Sequence, residues 1–331
     1  MRKIILLSLL ILVIGLLAGC VRQQPAESTA SPENPTTIRI AAMRGPTALG
    51  LLHLMDNAEQ GHASNNYEFK LLGSPDEVPP LLVRGEIDIA AVPGNLAAVL
   101  YNRLEGEVQA LAVVTLGVLH IVDTTNTIYS VADLAGRTIF VSGQGATPEF
   151  ALNYVLTQNG LTPGVDVNIS FHAEQAEIAA LLETGQAEIA LLPEPFVSTV
   201  LARVDNLRLA LDLTQEWDHV QQDYSLIMSV VIARREFLEN NPRAVAAFME
   251  EYATSIEFMT TRIPEGAQLA ADFGLIPSTY IAEAALPRTH MVFLTGEEMR
   301  RNLMGFYNVL YNAEPASIGG ELPEEDFFFL P

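Results

Sequence analysis

Residues 143–148, GQGATP, have the composition of a loop that binds a polar or anionic group. The loop joins a predicted strand to a predicted helix, with Thr147 as the expected N-cap and Pro148 where its missing N–H costs least. Backbone N–H groups at such a helix start, helped by the helix dipole, favour a negative or polar ligand atom. A plain tight turn is the alternative interpretation. The candidate ligand-binding residues here are Gln144, Gly145, Ala146 and Thr147.

Two common phosphate-binding motifs are excluded at this loop. A dinucleotide-binding G-x-G-x-x-G motif would need glycine where Pro148 stands, and no Gly-Lys-Ser or Gly-Lys-Thr of a P-loop occurs in the chain.

The loop belongs to a segment, residues 137–203, that repeats residues 37–103 at a constant offset of 100 positions. The closing halves agree best, LLETGQAEIALLPEPFVSTVLAR against LLVRGEIDIAAVPGNLAAVLYNR. Two copies are too few for a solenoid. We therefore predict two similar α/β lobes whose loops line one cleft. The first-lobe counterparts of the Gly loop are Gly45, Pro46 and Thr47.

Charged residues follow predicted strands on both sides of this cleft. Arg44 could pair with a carboxylate, sulfonate or phosphate of a ligand, and Glu194 could accept hydrogen bonds from an amine or an aminopyrimidine. The alternative is that the two residues pair with each other or with solvent. Gly94 and Asn95 stand 100 positions before Glu194 and its neighbour, so we expect them to face the cleft too.

Catalytic and metal-binding patterns are weak. The six histidines are scattered without the spacing of a metal site, and no G-x-S-x-G motif occurs. We therefore predict no catalytic residue, no metal and no cofactor.

The net charge of −22, from 18 Lys+Arg and 40 Asp+Glu, argues against binding to nucleic acid or to an anionic membrane surface. A salty or alkaline habitat and simple compositional drift are both consistent with it.

The N-terminus has the pattern of a targeting segment. Arg2 and Lys3 precede an apolar run at residues 4–18, which is shorter than the roughly 20 residues of a membrane span. The run ends in LAGC, the pattern of a bacterial lipobox, so we predict a signal peptide at residues 1–19 and lipidation of Cys20. A buried signal-anchor cysteine is the alternative. Cys20 is the only cysteine, which excludes a disulfide framework.

Domain boundaries follow from the repeat and from composition. Residues 20–36 are rich in Pro, Ser, Thr and Gln and predict a disordered tether. Strands alternate with helices beyond it, which favours parallel sheets. We predict lobe I from residues 37–123 plus 225–331 and lobe II from residues 124–224, with crossings near Asp123 and within residues 215–224. From residue 241 onward the pattern is helical.

The lipobox LAGC, the run SVADLAGRTIFVSGQGATPEFALNYVL and the run LLETGQAEIALLPEPFVSTVL resemble solute-binding lipoproteins of ABC importers. The family groups nitrate, alkanesulfonate, taurine and thiamine-precursor binders, and the resemblance covers about residues 37–310. It implies the type II periplasmic-binding-protein fold, with two hinged lobes that close on a ligand. It also implies ligand contacts at residues 44–47 and 145–147. The sequence ATPE and the acidic PEP loop depart from the sulfonate binders.

The resemblance implies a monomeric, lipid-anchored extracytoplasmic receptor that delivers a small solute to a permease and its ATPase. The predicted cleft balances Arg44 against Glu194, which favours a neutral, zwitterionic or amine-bearing heteroaromatic solute. The alternatives are an enzyme on the same fold, such as a pyrimidine synthase or a chorismate-type dehydratase, and a ligand sensor without transport. The signal peptide argues against the enzymes, which are cytoplasmic.

Overall fold

The computed structural model describes residues 35–330, so the predicted signal peptide, Cys20 and nearly all of the tether lie outside it. Two mixed sheets with helices on their faces form the described body. No helix between residues 35 and 330 is long and apolar enough to cross a membrane.

The strands are β1 (Thr37–Met43), β2 (Asn66–Leu72), β3 (Ile89–Pro93), β4 (Val108–Leu116), β5 (Leu119–Asp123), β6 (Thr138–Ser142), β7 (Asn168–His172), β8 (Ile189–Pro193), β9 (Arg208–Asp212), β10 (Ile227–Arg234) and β11 (Met291–Leu294). The helices are α1 (Pro46–Leu49), α2 (Leu52–Glu59), α3 (Val78–Val83), α4 (Gly94–Arg103), α5 (Thr147–Gln158), α6 (Gln175–Glu183), α7 (Phe196–Leu201), α8 (Leu213–Val220), α9 (Arg235–Asn240), α10 (Pro242–Thr261), α11 (Ile263–Asp272), α12 (Thr279–Ala285) and α13 (Gly296–Ala313).

The two sheets share one topology, which explains the sequence repeat. The first sheet, that of lobe I, has the order β11-β4-β10-β3-β1-β2, and the second, that of lobe II, has the order β7-β6-β8-β5-β9. In each sheet three strands pair in parallel, in the orders β3-β1-β2 and β8-β6-β7. An antiparallel strand then pairs with β3 or β8: β10 in the first sheet and β5 in the second. The strands β3 and β8 stand 100 positions apart. The predicted α/β class with two similar lobes and a helical C-terminal portion is therefore confirmed.

The first crossing between the lobes lies earlier than the predicted position near Asp123. Strand β5 pairs with β8 and β9, so the chain has already entered lobe II when β5 begins. The crossing is therefore at residues 117–118. The run of residues 108–123 is mostly apolar, and its composition does not reveal that it supplies strands to two different sheets. The return crossing, at residues 221–226, overlaps the predicted interval.

Helix α13 stabilises the junction of the lobes by burying aromatic rings against it. The Phe306 ring lies 6.1 Å from the Trp217 ring of α8, centroid to centroid, and both side chains are buried. Trp217 donates from Nε1 to the carbonyl oxygen of Tyr224 in the return crossing, at 2.9 Å. The Tyr224 ring packs directly on Gly305 of α13. A residue without a side chain is thus required where the return crossing meets this helix.

We expect Gly305→Ala to destabilise the protein by about 1–3 kcal/mol, because the added Cβ would overlap the Tyr224 ring. Alanine on its own favours a helix over glycine by about 1 kcal/mol, so the sign of the change is diagnostic. In a Tyr224→Ala background the same substitution should be neutral or stabilising. Urea unfolding of the four proteins measures both effects. An equal loss in the two backgrounds would show that the ring is not the cause.

Candidate functional site

Polar side chains are buried where the carboxyl edges of the two sheets meet. Such edges collect the strand-to-helix loops of parallel sheets, where ligands of α/β proteins bind. A buried polar group must find a hydrogen-bond partner inside the protein. The partner of each of these side chains therefore shows whether the two lobes are hydrogen-bonded to each other. The buried residues at this edge are Thr47, Asn95, Ser142, Thr147, Glu194 and Ser198.

The Asn95 side chain joins three separate parts of the chain. Its Nδ2 donates to the Gly145 carbonyl at 3.3 Å and to the Ser317 carbonyl at 3.0 Å. Its Oδ1 accepts from Thr147 Oγ1 at 3.1 Å. Asn95 belongs to α4 of lobe I, and Gly145 and Thr147 belong to lobe II. The start of α4 in lobe I is therefore in direct contact with the Gly loop of lobe II.

The predicted capping role of Thr147 is not found. The N-cap of α5 is Ala146, which places Thr147 at the first helical position, and no side chain caps this helix. The Thr147 hydroxyl instead donates across the lobes to Asn95. The buried Thr147 hydroxyl is thus satisfied by a residue of the other lobe. Had it capped its own helix instead, Asn95 Oδ1 would have lost this donor.

The Gly loop already holds a carboxylate from its own helix. Glu149 accepts a hydrogen bond at Oε2 from the Gly145 N–H at 2.6 Å. Sequence reasoning missed this residue, because the bond joins Gly145, the residue before the Ala146 N-cap, to a glutamate four positions later and is not a reciprocal cap. The N–H group expected to serve a ligand is thus bonded within the protein.

The first-lobe loop at residues 44–47 is positioned at the carboxyl end of β1. Gly45 takes φ +108°, a conformation that side chains rarely adopt, and Pro46 begins the short helix α1. The Thr47 hydroxyl accepts from Ser229 Oγ at 3.2 Å and is buried. Arg44 is exposed, and no carboxylate between residues 35 and 330 forms an ion pair with it.

Glu194 is fully buried and is paired with an arginine that sequence reasoning did not single out. Arg288 donates from Nε to Glu194 Oε1 at 2.6 Å and from its NH2 group to Ser198 Oγ at 2.6 Å. Ser198 also donates to the same carboxylate, from its backbone N–H and from its hydroxyl, at 3.1 Å each. Arg288 lies in the turn after α12, and this turn packs on α10 and α11 of lobe I, so this ion pair is a second bridge between the lobes. Glu194 therefore pairs neither with Arg44 nor with solvent.

Gly94 is held by packing. A side chain at this position would approach the Ile227 carbonyl oxygen to 2.8 Å, closer than real contacts allow, and the Gly94 carbonyl accepts from the buried Tyr307 hydroxyl at 3.0 Å. The residue therefore allows α4 to start tightly against β10.

A cavity of about 600 Å³ lies between the lobes beside the Asn95 bridge. Four predicted residues, Asn95, Gln144, Gly145 and Ala146, line it, whereas residues 44–47, Thr147 and Glu194 do not. Three charged or titratable residues that the sequence analysis did not select complete the wall, together with apolar and small residues. The further lining residues are Ser74, Pro75, Asp76, Pro93, Leu96, Val99, Arg103, Gly143, Phe171, His172, Ala173, Ala316 and Ser317.

His172 is oriented within this wall by an acidic neighbour. Its Nδ1 lies 2.9 Å from Glu177 Oε1, its Nε2 lies 3.3 Å from Ser170 Oγ, and its ring stacks on Phe140 with centroids 5.4 Å apart. The repeat predicted no role for this residue because its counterpart 100 positions earlier is Leu72.

A second histidine, His120, is buried at the hinge side of the same edge. Neither of its ring nitrogens has a hydrogen-bond partner among residues 35–330. Burial lowers the pKa of His120 to about 4, opposed by Asp212, whose carboxylate lies 4.0 Å away, and reinforced by the positive charges of Arg288 and His290. His120 is therefore neutral near pH 7.

No group of three or more His, Cys, Asp or Glu side chains in the described part of the chain has the arrangement of a metal site.

Comparison with known proteins identifies relatives of this architecture. A family model described as "ABC transporter, phosphonate, periplasmic substrate-binding protein" matches residues 63–274. No curated protein is detectably similar in sequence.

Several solved structures share the fold. An ABC transporter protein from Parabacteroides distasonis is 23% identical, with a TM-score of 0.75 over 89% of this chain and 99% of that one. The periplasmic aliphatic sulphonate binding protein SsuA from Escherichia coli is 16% identical, with a TM-score of 0.71 over 90% and 93%. The periplasmic nitrate-binding protein NrtA from Synechocystis PCC 6803 is 15% identical, with a TM-score of 0.59 over 80% and 74%.

We expect His120 to make the protein less stable in mild acid. The folded-state pKa of about 4 lies below the ordinary value of 6.5, so the unfolded chain binds the proton first as the pH falls. The contribution to the free energy of unfolding is intact above pH 6.5 and decreases by about 2 kcal/mol between pH 7 and pH 5. His120→Gln should remove this part of the pH dependence, measured by urea unfolding at both pH values.

The matched control is His62→Gln, which replaces an exposed histidine and should leave the pH dependence unchanged. An identical pH slope in the His120 variant and the unmodified protein would contradict the assignment.

Proposed function

Because the chain belongs to the family of ABC-transporter periplasmic substrate-binding proteins whose model is named for phosphonate, we propose that it binds a small polar or heteroaromatic solute between its lobes and delivers it to a permease and its ATPase. The observation that carries this proposal is the cavity of about 600 Å³ lined by loops from both lobes, a volume suited to a small molecule. The family and its structural neighbours are transport-associated binding proteins, so we do not propose an enzymatic activity.

The binding residues that we propose are Asn95, Gln144, Gly145 and Ala146, since these line the cavity. Two cross-lobe bridges support a mechanism of closure. Asn95 bonds to Gly145 and Thr147 on one side, and Arg288 bonds to Glu194 on the other. Separation of the lobes would break both bridges and would expose Thr147 and Glu194 to the cleft. Domain closure of this kind is how two-lobed binders enclose their ligands.

A neutral, zwitterionic or amine-bearing heteroaromatic solute fits this cavity better than sulfate-like anions. Among residues 35–330, the lining contains one guanidinium, that of Arg103, and one carboxylate, that of Asp76. Glu149 already occupies the N–H of Gly145. The net charge of −22 would also repel a multiply charged anion on approach.

We further propose that the protein is anchored by a lipid on Cys20 and acts outside the cytoplasm as a monomer. The family is periplasmic, which supports the extracytoplasmic location. The LAGC sequence after a short apolar run supports the anchor. Removal of Arg2 and Lys3 with the signal peptide would make the processed chain more negative still.

Titration calorimetry and small-angle scattering test the binding function together. We expect an aminopyrimidine or a similar amine-bearing heterocycle to bind more tightly than taurine, nitrate or an alkanesulfonate. Binding should reduce the radius of gyration, because closure around the ligand compacts the two lobes. Tighter binding of the alkanesulfonate would contradict the proposed solute, and saturation without compaction would contradict the proposed closure.

Membrane fractionation tests the anchor. Cys20→Ala should release the protein from the membrane fraction, because the thiol that accepts the lipid is gone. Retention of Cys20→Ala in the membrane fraction would show that the segment at residues 4–18 anchors the chain directly.

A further inference from the structure

The backbone donors on both walls of the cavity are bonded to the protein's own glutamates. In lobe II, the Gly145 N–H donates to Glu149 at 2.6 Å. In lobe I, the N–H groups of Gly73 and Ser74 donate to Glu77 Oε1 at 3.0 and 2.9 Å. Ser74 and Gly145 line the cavity. In each lobe, a backbone N–H of a residue that lines the cavity is therefore satisfied by a glutamate three or four positions later in the chain.

This arrangement opposes an oxyanion at either wall. A phosphonate or sulfonate could reach these donors only by displacing the glutamate, and the displaced carboxylate would remain beside a ligand of the same charge. Two like charges this close repel each other even in a partly solvated site, which weakens binding of the oxyanion. A donor that is already in a charge-assisted hydrogen bond offers no compensating gain.

The side chains around the cavity carry an excess of negative charge. Asp76 lies in the lining. Three further carboxylates are hydrogen-bonded to lining residues: Glu77 to Ser74, Glu149 to Gly145 and Glu177 to His172. The positive groups in the lining are Arg103 and, when protonated, His172. Four carboxylates thus surround a space that holds one permanent positive charge.

The remaining wall suits the body of an organic cation. Phe171 presents an aromatic ring to the cavity, and Leu96 and Val99 add aliphatic surface. An aromatic face attracts a cation through its quadrupole, and the aliphatic side chains bury the carbon skeleton.

We propose that this cavity selects an organic cation, a small solute with a protonated amine or amidine, and that Glu149 and Glu77 set this selectivity by occupying the donors that an oxyanion would need. The proposal rests on the solute-binding function proposed above and narrows it to one charge class. The simpler role of the two glutamates, helix capping alone, would affect stability and leave ligand charge preference unchanged.

Matched ligands that differ only in the charged head group separate these roles. Titration calorimetry would compare ammonium, phosphonate and sulfonate compounds on the same methyl, ethyl and benzyl bodies. We expect the ammonium member of each series to bind most tightly. Its affinity should fall as salt is added, because the attraction is screened.

Variants of Glu149 then test the residue itself. Glu149→Gln keeps an oxygen that can accept from the Gly145 N–H and removes the charge, so it should weaken ammonium binding roughly 3- to 10-fold with little change in unfolding free energy. Glu149→Ala also frees the N–H, so it should allow measurable phosphonate binding. Glu239→Gln removes one charge from an exposed site on α9 and should change neither affinity.

The outcomes are distinct. Tighter phosphonate or sulfonate binding by the unmodified protein, with no effect of the Glu149 variants, would overturn the cation assignment and leave the binding function intact. No binding of any member at millimolar concentration, together with no compaction in scattering, would overturn the binding function and this inference with it. Weaker ammonium binding in Glu149→Gln and an unchanged affinity in Glu239→Gln would support the proposal.

Discussion

The structure depends on one constraint, that polar side chains buried at the carboxyl edges of both sheets must find partners across the gap between the lobes. Asn95 is the clearest case, because its amide bonds to Gly145 and Thr147 of the other lobe and to Ser317 near the C-terminus. An unpaired buried polar group costs about 1–3 kcal/mol, so these contacts couple lobe packing to polar satisfaction. The same constraint is compatible with the proposed opening and closing of the lobes, since water or a ligand can replace the hydrogen-bond partners when the lobes separate.

Close approach at the junction is possible because glycine stands at the contact points. A side chain at Gly117 would overlap Thr214 of α8, and one at Gly305 would overlap the Tyr224 ring of the return crossing. The Gly117 carbonyl accepts from His290 Nδ1 at 2.5 Å, which fixes the first crossing against the strand β11 region. The lobes therefore meet through backbone and small residues near the hinge, while long side chains such as Arg288 bridge them farther out.

The fold was largely predictable because its information is local and repeated. Strands β3 and β8 have similar apolar sequences, IAAVP and IALLP, 100 positions apart. A repeated order of strands and helices implies a repeated sheet. The site was only partly predictable, because its partners are distant in sequence. Nothing near Glu194 indicates Arg288, and nothing near Asn95 indicates Ser317. The bond from Gly145 to Glu149 is short in sequence, but the N-cap of α5 is Ala146, which cannot form the reciprocal cap that would have indicated it.

The family model sets the kind of protein here, and we propose that a few hydrogen bonds set the charge of the solute that it binds. The relatives are 23% identical or less and are named for different solutes, among them sulfonate and nitrate, on one architecture. A helix N-terminus that faces the cleft is a general anion site only while its N–H groups are free. In this chain Glu149 and Glu77 satisfy such groups on both walls, so the same architecture presents carboxylates where an oxyanion receptor would present donors. We therefore propose that Glu149 and Glu77, two residues within one helical turn of the loops, decide the charge of the ligand. Sequence identity and TM-score over the whole chain do not reveal differences between single residues.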